Sequence, residues 1–383
     1  MPRSLAVLFL TIFVSLIGFG IIIPLLPFYA QTFGASPTTI GLLFASFSLA
    51  QFIAAPVLGD LSDRWGRRPV LVFSLLGTVL SFTLLALAHS LTLLFVARIV
   101  DGLSGGNITA ARAYIADVTP PEDRAKQYGL IGAAFGLGFI LGPALGGALS
   151  HISYTAPIWA AVILSAVAAV LAYAWLPEPA RHEVNAGSAP WWRTLPELIG
   201  RPGLASILLV DFLYWSTFAV YQTTFALYGQ RRFAWDATHI GYILASFGLL
   251  GVLIQTRVVG PVTRALGDRR TLVLGLGCAT TGLAIGSVAT SIPVFVAALV
   301  PTALGMGLCN PTLTALISRA VGPTEQGLVQ GAAGALESLG RTGGPIWGNV
   351  VLEHYGEGTT YGAAAVAFAA TLAIAAASRP TAR

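Results

Sequence analysis

The sequence predicts an all-α polytopic membrane protein of twelve transmembrane helices in two pseudo-symmetric six-helix halves, and three observations predict it. Charge is scarce: 383 residues hold 21 Lys and Arg and 16 Asp and Glu against 55% hydrophobic residues, with a mean hydropathy of +0.78. A soluble domain gives about a quarter of its residues to charge, because its surface must be solvated. The charges are also clustered, since residues 4–59, 127–177 and 271–318 contain none. A span needs about 20 apolar residues, so each stretch holds two spans and a short uncharged turn. Finally, landmarks recur at an offset near 201: residues 59–68 return weakly as 260–270, Gly142-Pro143 as Gly344-Pro345, Gly129 and Gly132 as Gly331 and Gly334, and Asn107 as Asn310. A repeat of that length is a duplicated half.

Apolar length and turn chemistry place the spans at about 5–28, 38–59, 70–88, 93–116, 127–150, 155–176, 203–228, 238–260, 271–289, 293–317, 327–350 and 358–377. Residues 32–37, 151–153 and 289–293 are the uncharged turns. The polar segment around Pro177, Pro179, Arg181, Pro190 and Arg193 breaks the rhythm at mid-chain, dividing an N-terminal half (1–176) and a C-terminal half (203–383) by a linker (177–202). Arg3 is followed by an apolar run with no small-residue cleavage site, so the first run is expected to be a retained span. Fifteen of the 21 Lys and Arg fall in one set of loops and ends, and only Arg231 and Arg232 in the other. By the positive-inside rule both termini and the linker are then cytoplasmic. The short basic clusters fit membrane topology rather than nucleic acid, and Cys278 and Cys309, both in apolar runs, are expected to be core residues rather than a disulfide or metal site.

The turn between spans 2 and 3 reads Gly59-Asp60-Leu61-Ser62-Asp63-Arg64-Trp65-Gly66-Arg67-Arg68-Pro69. Its glycines permit a tight turn, and Asp63 can meet a helix N-terminus or a neighbouring arginine; Arg112 is the expected partner, completing a latch on the inner face. Gly138, Gly142, Pro143 and Gly146 put small residues at helical spacing in span 5, which lets two backbones approach.

These stretches resemble the major facilitator superfamily. The turn matches that family's G-x-L-x-D-R-x-G-R-R signature at every position, residues 97–102 resemble its span 4 motif, and residues 138–147 the glycine-rich span 5 motif of its proton-driven exporters. Residues 18–27 resemble the first span of drug:proton antiporters, among them tetracycline-efflux carriers. The resemblance covers the whole chain and implies a secondary transporter, not an enzyme. The expected activity is export of a small amphipathic organic compound in exchange for protons by alternating access, as a monomer in lipid, in a bacterial inner membrane. No cofactor, metal or nucleic acid is implied. Tetracycline-efflux carriers have acids in spans 1, 3 and 9, whereas this chain has Ser15 and Ser81 in the first two and no acid in the third, which argues against tetracycline itself. The alternative is a metabolite or sugar carrier of the same fold, which needs more polar groups at mid-span. There is no H-E-x-x-H and no Walker sequence to suggest an enzyme or an ATP-driven pump.

Ionisable residues within spans cost about 2.5–3.5 kcal/mol each on insertion scales and mark functional positions by default. Arg98 and Asp101 lie three apart in span 4, Glu337 and Arg341 four apart in span 11, so each pair shares a helix face. Asp211 in span 7 has no local partner. At about 1.5 Å per residue, Asp211 lies about 12 Å and Glu337 about 15 Å inside their spans. A buried carboxyl exposed alternately to two sides can load and release a proton, so these five residues are the coupling candidates, and the resemblance singles out Arg98. Each also fits a structural ion pair. Gln51, Asn107, Tyr214, Trp215, Tyr221, Gln222 and Asn310 are the expected substrate pocket, apolar and aromatic with few polar anchors. An ordinary packing stripe accounts equally well for about half of span 7's aromatics, and interhelical bonding for the asparagines.

Overall fold

The computed structural model describes residues 3–120, 124–179, 200–322 and 325–378, and among them every regular element is a helix. Spans 1 to 3 are Arg3–Gln31, Pro37–Trp65 and Arg67–Ala86. Span 4 is a pair of shorter helices, Leu91–Leu103 and Asn107–Val118. Spans 5 to 7 are Arg124–Ser150, Ala156–Trp175 and Pro202–Phe233. Span 8 runs as Ala237–Leu253, a π turn Ile254–Val258, and Val259–Leu266; spans 9 and 10 are Asp268–Val288 and Ile292–Arg319. Spans 11 and 12 share the helix Gln326–Ala377, divided at Gly356. Among the described residues ten helices are long and apolar enough to cross a membrane; the divided span 4 and the double-length final helix bring the spans to twelve. Residues 180–199, most of the expected linker with Arg181 and Arg193, lie outside the described residues.

Two spans differ from the single helices expected. Span 4 opens at Ser104–Gly106, where the amide of Gly105 turns back to Gly102 O (3.0 Å) and Gln51 Nε2 reaches Gly105 O (3.4 Å). Two successive glycines weaken the helix there. Span 8 carries its π turn just before Pro261, whose missing N–H and ring displace the preceding turn.

The remaining ends follow local chemistry. Ser36 accepts from Thr39 N ahead of Pro37, and Ser90 accepts from Leu93 N; Asp236 accepts from His239 N at 2.9 Å to start span 8. Each supplies an acceptor to an orphan amide of the first turn. Gly66 and Gly267 each serve as the cap of two consecutive helices, with φ of 113° and 76°, a conformation that glycine adopts without a Cβ penalty. The two arginines on the sparsely charged loop side are spent on helix ends: Arg231 Nη1 donates to Leu352 O (3.0 Å) and Arg232 Nε to Ala289 O (3.1 Å), a favourable place for a cation.

The described residues form two compact units, within Met1–Val184 plus Trp235–Gly248 and within Asn185–Ala234 plus Leu249–Arg383. In the first, Leu5, Leu8, Ile12 and Leu16 of span 1 bury against Ala54 and Leu58, Tyr114 and Ile115, and Ile131 and Ala134. Span 3 turns Leu71, Leu75 and Phe82 inward and leaves Phe73, Leu76 and Leu80 exposed, the outward apolar stripe of a helix solvated by lipid. In the second, Leu204 and Leu208 meet Ile317, Val329 and Ala332. A cluster of Tyr228, Phe295 and Tyr361 packs nearby spans together, with Tyr228 and Tyr361 ring centroids 4.3 Å apart.

Candidate functional site

Small residues set the closest helix approaches, since lipid offers no hydrophobic drive between helices. In the first unit a Cβ on Gly138 would lie 2.7 Å from Leu16 Cβ, one on Gly142 2.6 Å from Gly20 Cα, and one on Gly146 3.0 Å from Ile21 O, so span 5 lies on span 1. Pro143 takes part: its Cδ would stand 3.2 Å from a Cβ on Gly20. Gly147 faces Gly241 and Thr238 of span 8, where Thr238 Oγ1 donates to Gly147 O (3.1 Å). The second unit repeats the device. A Cβ on Gly340 would lie 2.8 Å from Phe212 O and 2.9 Å from Ser216 N, while Gly344 and Gly348 continue along Ser216 and Val220, so span 11 lies on span 7.

The charged coupling candidates within the spans lie where span 4 meets span 2 and at the seam of spans 7 and 11. Arg98 Nη1 donates to Asp101 Oδ2 at 2.9 Å, with side chains 2% and 8% exposed. The guanidinium lies 4.3 Å from the Phe47 ring centroid, because Gly102 admits the span 2 backbone at Phe47. The i, i+3 pairing expected from spacing is therefore present, and it neutralises itself.

Asp211 is 2% exposed, and its Oδ2 has no hydrogen-bond partner among the described residues. The sequence showed it no local partner, but span 11 brings Glu337 and Arg341, both of which act on it electrostatically. The cause is the seam: residues 337, 340, 341 and 344 share one helix face, and the close approach at Gly340 carries the two charged neighbours in with it. Arg341 also stacks over Trp215, its Cζ 5.2 Å from the ring centroid. Nearby, Trp347 Nε1 donates to Ser216 Oγ (3.2 Å) and Asn349 Nδ2 to Thr223 Oγ1 (3.2 Å).

The residues expected to line a pocket divide by burial. Tyr214 and Tyr221 are 2% and 3% exposed and belong to the packed interior of the second unit. Tyr214 donates to Met306 O at 3.3 Å, and Tyr221 meets Phe225 and Tyr361. The same span's periodicity turns Trp215 and Gln222 partly outward, and Asn310 is exposed. Gln51 supports the break in span 4, as described. The side chain of Asn107 lies outside the described residues. Ser15 is buried, and Ser81 donates to Ala97 O at 2.9 Å.

In the turn between spans 2 and 3, the partner of Asp63 is Arg67 rather than Arg112. Arg67 Nη1 bonds Asp63 and reaches Ser62 Oγ (3.2 Å), while its Nε donates to Asp117 Oδ2 of span 4 at 2.7 Å. Gly66 reverses the chain so tightly that Arg67 lands beside the end of span 2, whereas Arg112 is exposed. Arg64 pairs with Asp60 on the surface, at 3.0 Å. Glu178, just past span 6, accepts from both Arg67 N (2.6 Å) and Arg68 N (2.9 Å), a carboxylate on a helix N-terminus, and Arg68 Nη2 donates to Tyr173 O. Gly59 has open space where a Cβ would stand. The sequence reading missed Asp117 and Glu178. Glu178 was visible as the first acid after the uncharged 127–177 run, but nothing in its spacing pointed 110 residues back. The second half carries a simplified version: Asp268 pairs with Arg319, and Arg269 donates to Ala375 O and Ala376 O at the end of span 12.

Among the described residues no group of three or more His, Cys, Asp and Glu could hold a metal. Compared with known proteins, the chain matches the model of the Major Facilitator Superfamily over residues 8–345 and 212–382. It is 36% identical over 356 residues to the class C tetracycline resistance protein of Escherichia coli, covering 90% of this chain and 88% of that one. It is 30% identical over 362 residues to multidrug resistance protein 2 of Bacillus subtilis (strain 168), covering 91% and 89%. Among solved structures, it superposes on the human organic anion transporter MFSD10 (TETRAN) with a TM-score of 0.76 at 24% identity, covering 98% of this chain and 100% of that one. The nucleoside transporter NupG gives 0.79 at 15%, covering 98% and 99%. At such identities the solved structures speak for the fold.

Proposed function

This chain belongs to the major facilitator superfamily, and we propose that it is a secondary exporter, moving a small amphipathic drug-like compound out of the cell in exchange for protons by alternating access. The observation that carries this reading is the pair of charge clusters within the spans, the buried Arg98 with Asp101 and the buried Asp211 with the half-buried Glu337 and Arg341, in a chain whose relatives include tetracycline and multidrug resistance proteins. Ionisable groups at that depth are costly and mark ion or proton pathways. The aromatic faces of Trp215 and Phe218, beside polar Gln222, fit an apolar ligand held by few anchors.

The turn between spans 2 and 3 acts in this reading as the cytoplasmic gate. Arg67 ties span 2 to span 4 through Asp63 and Asp117, and Glu178 fixes the start of span 3, so the group closes or releases as a unit; Gly59, Arg64, Arg68 and Arg112 flank it. The halves meet at a linker in 177–202, with both termini cytoplasmic in a bacterial inner membrane, and a single chain is the working unit.

The reading is tested in everted vesicles from an efflux-deficient bacterial host expressing the chain, with an acid-inside gradient imposed and tetracycline and ethidium as probes. Accumulation of either that collapses with a protonophore is expected, together with lowered susceptibility of the host to that compound. Accumulation indifferent to the gradient, or an unchanged panel of susceptibilities, overturns it.

A further inference from the structure

We propose that the transported proton is loaded at the Asp211–Glu337 carboxyl pair of spans 7 and 11, one proton at a time with Arg341 as the standing counter-charge, while the Arg98–Asp101 pair stays ionised as an internal anchor. The proposal rests on the proton-exchange reading above and locates it.

Charge balance separates the two clusters. In the first unit one base meets one acid in direct contact at 2.9 Å, with both side chains withdrawn from solvent; the two formal charges cancel, although Arg98 Nε is left without a hydrogen-bond partner among the described residues. In the second, two acids share one base, which leaves one negative charge at membrane depth. Such a charge must be paired or neutralised, and a proton on either carboxylate oxygen neutralises it without any co-reactant. The structure shows where that proton has room to act: Asp211 Oδ2 is buried with no hydrogen-bond partner among the described residues. Span 11 presents Glu337 and Arg341. Tyr214, one turn further along span 7, feels Asp211, Glu337 and Cys309 of span 10, and its hydroxyl is spent on the carbonyl of Met306.

The internal repeat supplies an independent observation. Gly138 and Gly340 play the same part in their seams, at an offset of 202 residues. At that offset Glu337 and Arg341 correspond to Phe135 and Phe139, which stack on each other with centroids 6.4 Å apart. Span 1, the counterpart of span 7, has no charge at all from residue 4 onward. The same helix seam is thus built in the first half from apolar side chains, so packing does not call for acids there. Two acids and a base present in only one of two equivalent seams are an addition to the fold, and their net charge of one negative unit is what a single proton cancels.

Dicyclohexylcarbodiimide tests the location without a transport substrate. It reacts with protonated carboxyl groups in apolar surroundings: the acid's proton passes to a carbodiimide nitrogen and the carboxylate oxygen bonds its central carbon. With the full chain in native membranes, peptide mass mapping should find one adduct per chain on Asp211 or Glu337, declining as the medium is made alkaline, and none on Asp101. An adduct on Asp101 alone, or no adduct, overturns the proposal. In the vesicle assay Asp211→Asn and Glu337→Gln should each lose gradient-driven accumulation of tetracycline or ethidium while downhill exchange persists, and Asp211→Glu should restore the drive. Asp211→Asn and Glu337→Gln that both keep the drive also overturn it. A native chain that moves either probe regardless of the gradient defeats the exchange reading instead, and the adduct map still decides which carboxyl holds a proton.

Discussion

Alanine at Gly344 and at its neighbour Gly343 makes a matched test of what the glycine seams do. Both positions lie in one helix, and both substitutions remove glycine's backbone freedom in the unfolded chain, worth about 0.5–1 kcal/mol in favour of the helix. They differ in what the new methyl group meets. At 343 nothing lies within 4 Å; at 344 the carbon would overlap Ser216 O and stand 2.9 Å from Ala219 Cβ. Carbon and carbonyl oxygen approach ordinarily to about 3.3 Å, so span 7 would have to retreat by roughly 1 Å along a contact that also includes Gly340 and Gly348. Overpacking of that kind costs about 1–3 kcal/mol. Gly343→Ala should therefore be more stable than the native chain by about 0.5–1 kcal/mol, and Gly344→Ala less stable than Gly343→Ala by about 1–3 kcal/mol. Thermal unfolding of the detergent-solubilised chain, followed by tryptophan fluorescence, reads the difference. If the two variants unfold together, the seam is loose and the placement of Glu337 and Arg341 by close helix approach loses its basis.

Three other outcomes follow from the same geometry. Arg98→Leu leaves Asp101 buried without its partner and should cost about 3–5 kcal/mol, whereas Arg98→Leu with Asp101→Thr, matching the second half's Leu299 and Thr302 at an offset of 201, should unfold later than the single variant in the same assay. Glu178→Ala removes the acceptor of two first-turn amides and should cost about 0.5–2 kcal/mol, as loss of a helix N-cap does, with faster amide exchange confined to the start of span 3. At the start of span 11, the Arg201 guanidinium bonds the exposed Glu325 carboxyl and holds it below the usual carboxylate range. Because the folded value is the lower one, this contact helps fully above the unfolded carboxylate value and is lost as pH falls through the folded one. Protection of the first amides of span 11, exchange being taken relative to its intrinsic rate at each pH, should fall on acidification, and Glu325→Gln should remove that pH dependence of the protection.

Much of this molecule was legible in the residue order because lipid imposes one-dimensional rules. Apolar length and turn residues depend on local composition alone, and they placed twelve spans; the landmarks recurring near an offset of 201 gave the duplication. The Arg98–Asp101 bond was legible for the same reason, since three residues along a helix is a contact by construction. Asp63 shows where such reasoning stops: its spacing from an arginine was visible, but the choice of Arg67 over Arg112 depends on the φ of 113° at Gly66, a tertiary reversal.

Residue order alone thus specifies the membrane fold, its twofold repeat and the short roster of charges within the spans. The company those charges keep is settled in three dimensions. Asp211 gained Glu337 and Arg341 from 126 and 130 residues away, Arg67 gained Asp117, and the N-terminus of span 3 gained Glu178. The pairing across spans 7 and 11 arises where glycines let two helix backbones come within contact distance, and the pairings of Arg67 and of the span 3 amides where a glycine reverses the chain. Which helix answers a given seam follows from packing of the whole unit, and no periodicity along the chain encodes it.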